Sequence, residues 1–295
     1  MAQEPKIGTV VLNFRNYQET LDCVASLKQQ SYSNHVIVVV ENGSGNESEA
    51  VLHKAFDDDP SVALIVSQKN LGFAKGNNLG IRHAREKLGC DYVFVLNSDT
   101  IVPDGVFQEI VKVDFREVGA ISPSVVDVEG NPSRPSENSD DILARIQFLR
   151  KGLLLARVLS LPIVRQLYGF YKKRIKRKTQ VVSTRPTYGK YVLQGCSYFL
   201  TPTFFQYYTQ LYPETFLYWE EVNLLLYLYK VGLHSVAVET PPIVHKGAQS
   251  TMTLGPESKY DRRKLKFSLD SYRASRPMFG MTYEEIKERY NGGDG

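Results

Sequence analysis

Short apolar runs alternate along the first hundred residues with segments whose apolar positions recur at helical spacing. "IGTVVLN" (Ile7–Asn13), "HVIVVVEN", "VALIVS" and "DYVFVLN" are β-branched or aromatic runs bounded by polar residues, the pattern of strands covered on both faces. Between them, "YQETLDCVASLKQQ" has Leu21, Val24, Leu27 and Lys28 at helical spacing, and "ESEAVLHKAF" and "KGNNLGIRHAREKLG" read as two further helices. This rhythm predicts right-handed crossovers and an α/β fold, a mostly parallel sheet with helices on both faces. Such sheets bind ligands in the crevice beyond the carboxyl ends of their strands. The candidate residues are therefore Asn13 and Arg15 after the first strand and Glu41 and Asn42 after the second. Asn70 to Asn77 follow the third strand, and Asn97 to Asp99 the fourth.

From about Asp127 the texture changes. "VEGNPSRPSENSDD" is an exposed loop, and after it Ile142, Ile146, Leu149 and Leu153 recur at helical spacing, with Pro162 starting a second helix. Strand-like text returns at "YGKYVLQGCSYFL", followed by a helix near "TPTFFQYY" and by "YPETFLYWEEVNLLLYLYKVGLHSVAVETPPIVHKG". The expected organisation is a first α/β half over residues 1–126, a loop with a basic helical insertion over 127–187, a second half over 188–255 and a helical tail over 256–295.

Composition narrows the class. The chain has 295 residues, 42% of them hydrophobic, enough for a sizeable core. No run approaches the roughly 18 apolar residues of a spanning helix, and "MAQEPKIGTVV" lacks the features of a secretory signal, so the expected location is cytoplasmic. Cys23, Cys90 and Cys196 are far apart and without metal-ligand spacing, the pattern of buried structural thiols. The net charge of +4 is mild and does not imply nucleic acid, but much of it lies in "RQLYGFYKKRIKRK".

Two nucleotide motifs are absent: the turn after the first strand, "NFRNYQET", has no glycine, and there is no Gly-Lys-Ser/Thr. Asp99 stands at the tip of the most apolar run. A carboxylate there is costly to desolvate unless it is hydrogen-bonded or holds a cation, and Mg²⁺ or Mn²⁺ takes oxygens from Asp and from phosphates together. The alternative is a helix N-cap for a segment starting near Pro103. Glu41 suits a ribose or base contact, or a solvated turn. Adjacent Glu220 and Glu221 beside apolar surface repel each other, which pushes at least one pKa toward the range of a general base. They point about 100° apart on a helix, so one faces a given substrate atom; equally, two acids suit a helix start. His245 is a structural histidine or a ligand for Mn²⁺.

In order and spacing, these pieces resemble glycosyltransferase family 2, the inverting nucleotide-sugar enzymes of GT-A fold, and in particular its bacterial rhamnosyltransferase-like branch. The resemblance runs from about Lys6 to Ser250 through "VVLNFRNYQETLDCVASLKQQ", "VVVENGSGNES", "NLGFAKGNNLGI", "VLNSDTIV", "VLQGCSYFL", "FLYWEEVNLLLYLYKVG" and "VHKGAQS". It implies donor-binding roles for Asn13, Arg15, Glu41, Asn42, Asn70, Gly72, Phe73, Lys75, Asn77, Asn97 and Ser98. It also implies metal binding by Asp99 and His245, and acceptor binding by Gln194, Gly195, Cys196 and Trp219. Glu220 and Glu221 match the family's acidic pair, whose second member deprotonates the acceptor hydroxyl. Asn97, Glu221 and Asn223 depart from the family's usual Asp, and Lys75 from its usual Gly.

The expected activity is metal-dependent transfer of a sugar, with rhamnose from a thymidine diphosphate donor first in line, to a glycan that is lipid-linked in this branch. The basic, amphipathic segment 142–178 suggests a cytoplasmic-facing membrane surface; packing on the catalytic domain or on a second copy of the chain explains the same periodicity. A nucleic-acid-binding protein leaves the strand-end acids unexplained. A glycosidase takes its two carboxylates from across a cleft rather than from adjacent positions. A nucleotidyltransferase of similar fold, releasing pyrophosphate, and a catalytically dead binding protein are the nearest rivals.

Overall fold

The computed structural model describes residues 4–159, 188–247 and 262–290. The expected alternation is present: β1 (Ile7–Asn13), α1 (Tyr17–Leu27), β2 (His35–Asn42), α2 (Ser48–Phe56), β3 (Val62–Ser67), α3 (Gly72–Arg82) and β4 (Tyr92–Asn97). Then follow β5 (Thr100–Ile101), α4 (Val106–Ile110), β6 (Val118–Ser122), β7 (Val125–Val126), β8 (Glu137–Ser139) and α5 (Ile142–Leu159). The remainder comprises β9 (Tyr191–Leu193), β10 (Ser197–Leu200), α6 (Phe204–Tyr207), α7 (Glu220–Lys230), β11 (His234–Ala237), β12 (Ile243–His245), α8 (Arg262–Gly280) and α9 (Tyr283–Tyr290).

Seven strands form the central sheet in the order β11-β6-β10-β4-β1-β2-β3. All neighbours run parallel except β10, which is antiparallel to both β4 and β6. Residues of the second half thus sit inside the sheet begun by the first. Period-2 alternation divides the core into two layers. Val10, Val38, Val40, Val93 and Val95 face α3, α5, α7 and the C-terminal helices, while Val11, Val39, Phe94 and Leu96 face α1, α2 and α4. Gly76 and Gly80 let α3 lie close on the sheet: a Cβ at these positions would fall 2.7 Å from Leu12 Cδ1 and 2.4 Å from Val10 Cγ1.

A smaller sheet, β5-β12-β7, packs beside the strand ends, and β8 pairs antiparallel with β9 at the base of the 127–187 excursion. Ile142 and Ile146 of α5 are buried, and Leu149 and Leu153 pack partly buried on the same core. This periodic stripe is therefore a core face. Among the described side chains of the helix, Leu143, Phe148, Leu154 and Leu155 are the large apolar ones that stand exposed. The expected helix from Pro162 and the basic run 165–178 lie outside the described residues, as do residues 248–261. The helix expected near "TPTFFQYY" is limited to Phe204–Tyr207. In the tail, Met278 and Ile286 are fully buried, so α8 and α9 belong to the core. Among the described residues no helix is long and apolar enough to cross a membrane.

Candidate active site

The ends of β1 and β2 are joined by a buried network. Asn13 lies opposite Glu41 in the parallel register, and its amide donates to a Glu41 oxygen. Ser44 donates to Glu41 through its backbone N–H (2.6 Å) and its hydroxyl (2.9 Å), and Thr20 donates to Asn13 Oδ1 at 2.8 Å. A buried carboxylate needs such partners. Glu41 accepts three hydrogen bonds and is 1% exposed, so a direct contact to a base or ribose requires the residues covering it to move aside. The Arg15 backbone, in a left-handed conformation (φ 65°), donates its N–H to Ser44 Oγ at 2.8 Å.

Asn42 fastens the next loop. Its Nδ2 donates to Asn70 Oδ1 and to the Gly72 carbonyl, both at 3.2 Å, and its Oδ1 accepts from the Leu71 N–H at 3.0 Å. Gly72 opens α3 with φ 81°, and its N–H donates to Asn70 Oδ1. The Phe73 N–H donates to the Phe216 carbonyl at 2.8 Å. Asn77 is buried with its Oδ1 unpartnered among the described residues, whereas Lys75 is exposed.

Asp99 and His245 are 146 positions apart in the chain and meet because β5 and β12 pair antiparallel, His245 opposite Thr100. His245 Nε2 lies 3.3 Å from Asp99 Oδ1, yet it makes no aligned hydrogen bond among the described residues. Asp99 is 4% exposed and does not cap a helix, since α4 begins after Gly105. Its carbonyl accepts from the Lys246 N–H, and Lys246 Nζ bridges Glu19 (2.5 Å) and Asp22 (3.0 Å) on α1. Burial opposes protonation of His245, but the Asp99 carboxylate, with Cys196 beside it, outweighs burial and lifts the imidazole to about 10. The 3.3 Å separation of the two side chains is compatible with a shared cation. Two ligands at adjacent corners of a Mg²⁺ octahedron, each at about 2.1 Å, are about 3 Å apart. No cluster of three or more His, Cys, Asp or Glu residues suited to a metal occurs among the described residues. The remaining ligands of a cation at this pair must come from phosphate and water, as is usual for Mg²⁺.

The turn Gln194–Gly195–Cys196, between β9 and β10, connects this pair to the two glutamates. On one side the Cys196 carbonyl accepts from the Asn97 N–H at 2.8 Å. On the other, Gly195 lies so close to Glu221 that a Cβ would fall 2.1 Å from Glu221 Oε1. Gln194 is buried and donates its N–H to Ser122 Oγ. Glu220 and Glu221 open α7 after Tyr218 and Trp219, which both have positive φ (72° and 75°). Burial and the charge of Glu221 raise the Glu220 pKa well above the ordinary carboxylate range. Burial, with Glu137 nearby, raises that of Glu221. Glu220 Oε1 and both amide atoms of Asn223 are buried without partners among the described residues, whereas Glu221 lines an open cleft of about 280 Å³ with Glu137, Phe148, Leu149, Leu153, Tyr218 and Trp219. Glu221 is thus the member of the pair that lines the cleft a substrate can enter.

The structure gathers Asn13, Asn42, Asn70, Asn97, Asp99 and His245 at one end of the sheet and places Glu221 next to them across the Gly195 turn. Sequence reasoning missed Ser44, which completes the Glu41 network, and Glu137, which is held bidentate by Arg145 (2.5 and 3.1 Å) at the cleft. The first carried a signal in "ENGS", a hydroxyl three residues after a strand-end acid; Glu137 looked like any loop acid.

A central mostly parallel sheet with one antiparallel strand inserted, and with polar side chains at its carboxyl edge, is the architecture of GT-A glycosyltransferases. The chain superposes on the mannosyltransferase PcManGT of Pyrobaculum calidifontis in complex with GDP-Man and Mn²⁺. The TM-score is 0.54 at 13% identity, over 97% of this chain and 68% of that one. It also superposes on GalNAc-T7 with UDP, GalNAc and Mn²⁺, with a TM-score of 0.55 at 15% identity, over 99% and 54% of the two chains. At such identities these likenesses establish the fold alone. Residues 9–188 match the family described as Glycosyl transferase family 2, and the chain belongs to that family. It is 32% identical over 120 residues to an N-acetylglucosaminyltransferase of Bradyrhizobium elkanii, covering 39% of this chain and 64% of that protein.

Proposed function

We propose that the protein transfers a sugar from a nucleoside diphosphate sugar to an acceptor hydroxyl, with inversion at the anomeric carbon. The observation that carries this reading is the Gln194–Gly195–Cys196 turn. It holds a reachable carboxylate with a raised pKa, Glu221, against one side and the Asn97–Asp99 turn with His245 against the other. Glu221 takes the proton from the acceptor hydroxyl, whose oxygen forms the new bond to the anomeric carbon. The bond from that carbon to the diphosphate breaks on the opposite face, and its electron pair leaves with the nucleoside diphosphate. Asp99 and His245 would hold Mg²⁺ or Mn²⁺, which neutralises charge growing on the leaving diphosphate. Asn13, Arg15, Asn42 and Asn70 shape the nucleotide and diphosphate wall; Glu41 acts from beneath by holding Asn13 and Ser44. Trp219, Gly195 and the cleft beside Glu221 receive the acceptor.

Relatives and structural neighbours are named for GlcNAc, mannose and GalNAc donors, while the motif resemblance favours rhamnose from a thymidine diphosphate donor. The exposed Leu143, Phe148, Leu154 and Leu155 beside Arg150 and Lys151 suit an anionic membrane surface carrying a lipid-linked glycan acceptor. Thermal-shift measurement against dTDP-rhamnose, UDP-GlcNAc, GDP-mannose and UDP-GalNAc, each with Mn²⁺, Mg²⁺ or chelator, tests the donor. A cation-dependent shift with one of them supports the reading; no shift with any overturns it.

A further inference from the structure

We infer that the C-terminal helix α8 is a positioning element of the active site: it holds the strained Tyr218–Trp219 turn and through it sets where Glu220 and Glu221 point. The inference rests on the transferase reading of that site, and it concerns residues beyond the 9–188 span that matches the family. Two consecutive bulky residues in the left-handed region cost backbone energy at each position, so the surrounding structure must impose the turn. The ties come from α8. Ser271, buried, donates its hydroxyl to the Leu217 carbonyl at 2.8 Å. Trp219 packs on Tyr272 and Phe279, with ring centroids 5.1 and 6.4 Å away. Phe216 stacks on Phe267 at 5.8 Å, and the Tyr212 hydroxyl donates to the Ala274 carbonyl at 2.6 Å. The next residue after the turn is Glu220, at the first position of α7. The same segment bonds the start of α3 through the Phe216 carbonyl, so α8 sets the acceptor side while the turn stays in register with the donor loop.

Trp219 is the single tryptophan of the chain, and its fluorescence therefore reports the turn without substrate. Ser271→Ala removes the hydroxyl tie and is expected to red-shift Trp219 emission and increase its quenching by acrylamide. In transfer assays with the donors named above, kcat should fall roughly three- to tenfold, the worth of one hydrogen bond, with donor KM unchanged. Ser271→Thr, which keeps the hydroxyl, should restore both signals. In a Tyr218→Gly background, where glycine adopts the positive φ freely, Ser271→Ala should lose most of its effect. Unchanged emission and quenching in Ser271→Ala, or an equal effect in the two backgrounds, would overturn the inference. If Ser271→Ala does not fold, Tyr272→Leu carries the same comparison. Normal turnover by Glu221→Gln, or no consumption of any donor, defeats the transferase reading instead, and the fluorescence series still decides whether α8 holds the turn.

Discussion

Replacing Gly195 by alanine tests the placement of Glu221 with the smallest possible change. The new Cβ would lie 2.1 Å from Glu221 Oε1 and 2.9 Å from Ser136 Oγ, where ordinary contact begins at 3.4 Å. The carboxylate must therefore retreat by more than 1 Å, which it can do because it is the end of a flexible side chain beside an open cleft. A misplacement of about 1 Å at a reacting group lowers turnover on the order of 10²-fold. The backbone of Gly195 does not have a positive φ, so alanine is conformationally allowed there and gains about 0.4–1 kcal/mol through the unfolded chain. The expected result is a kcat about 10²-fold lower, with melting temperature and nucleoside diphosphate affinity close to wild type. Initial rates of nucleoside diphosphate release and calorimetric titration read these separately. Near-normal turnover would refute the reasoning, since it would mean that the position of Glu221 does not matter to the reaction.

Three other outcomes follow from the same geometry. Gly80→Ala forces a Cβ to 2.4 Å from Val10 Cγ1 at the α3–sheet contact and should destabilise the fold by about 1–3 kcal/mol in urea unfolding, as overpacking does. Because the folded pKa of Glu220 is raised, its contribution to stability is complete below the ordinary carboxylate range and is lost as pH rises toward the folded value. Glu220→Gln should therefore melt like wild type in acid and above it in alkali, and parallel curves in calorimetric scans across pH would contradict this. If Mn²⁺ raises the affinity for the nucleoside diphosphate of the donor found in the thermal-shift panel, Asp99→Ala should abolish that gain, read by titration with and without the cation; an undiminished gain would remove Asp99 from the cation site.

How much of this was legible beforehand varies with the range of the interaction. The parallel strands and their polar tips could be read because each is a local run whose burial on two faces leaves a mark in composition, from Ile7 to Asn13 and from Tyr92 to Asn97. The N-cap alternative for Asp99 and the lipid-face alternative for Ile142 and Ile146 stayed open, because a stripe or an acid says nothing about what covers it. Packing decided both: α4 starts after Gly105, and Ile142 is fully buried. The pairing of β5 with β12 and the insertion of β10 between β4 and β6 are contacts across some hundred residues with no local signature. Glu41 stands at the strand end as its sequence position implies, but its engagement by Asn13 and Ser44 depends on the neighbouring strand.

The central claim is that Glu221 is the base acting beside a cation-held diphosphate. Single-turnover transfer by Glu221→Gln, with the donor that binds in the thermal-shift panel, tests it most directly. The account predicts a rate about 10²–10⁴-fold below wild type with donor affinity unchanged. A rate near wild type, or a loss confined to donor affinity, would contradict it.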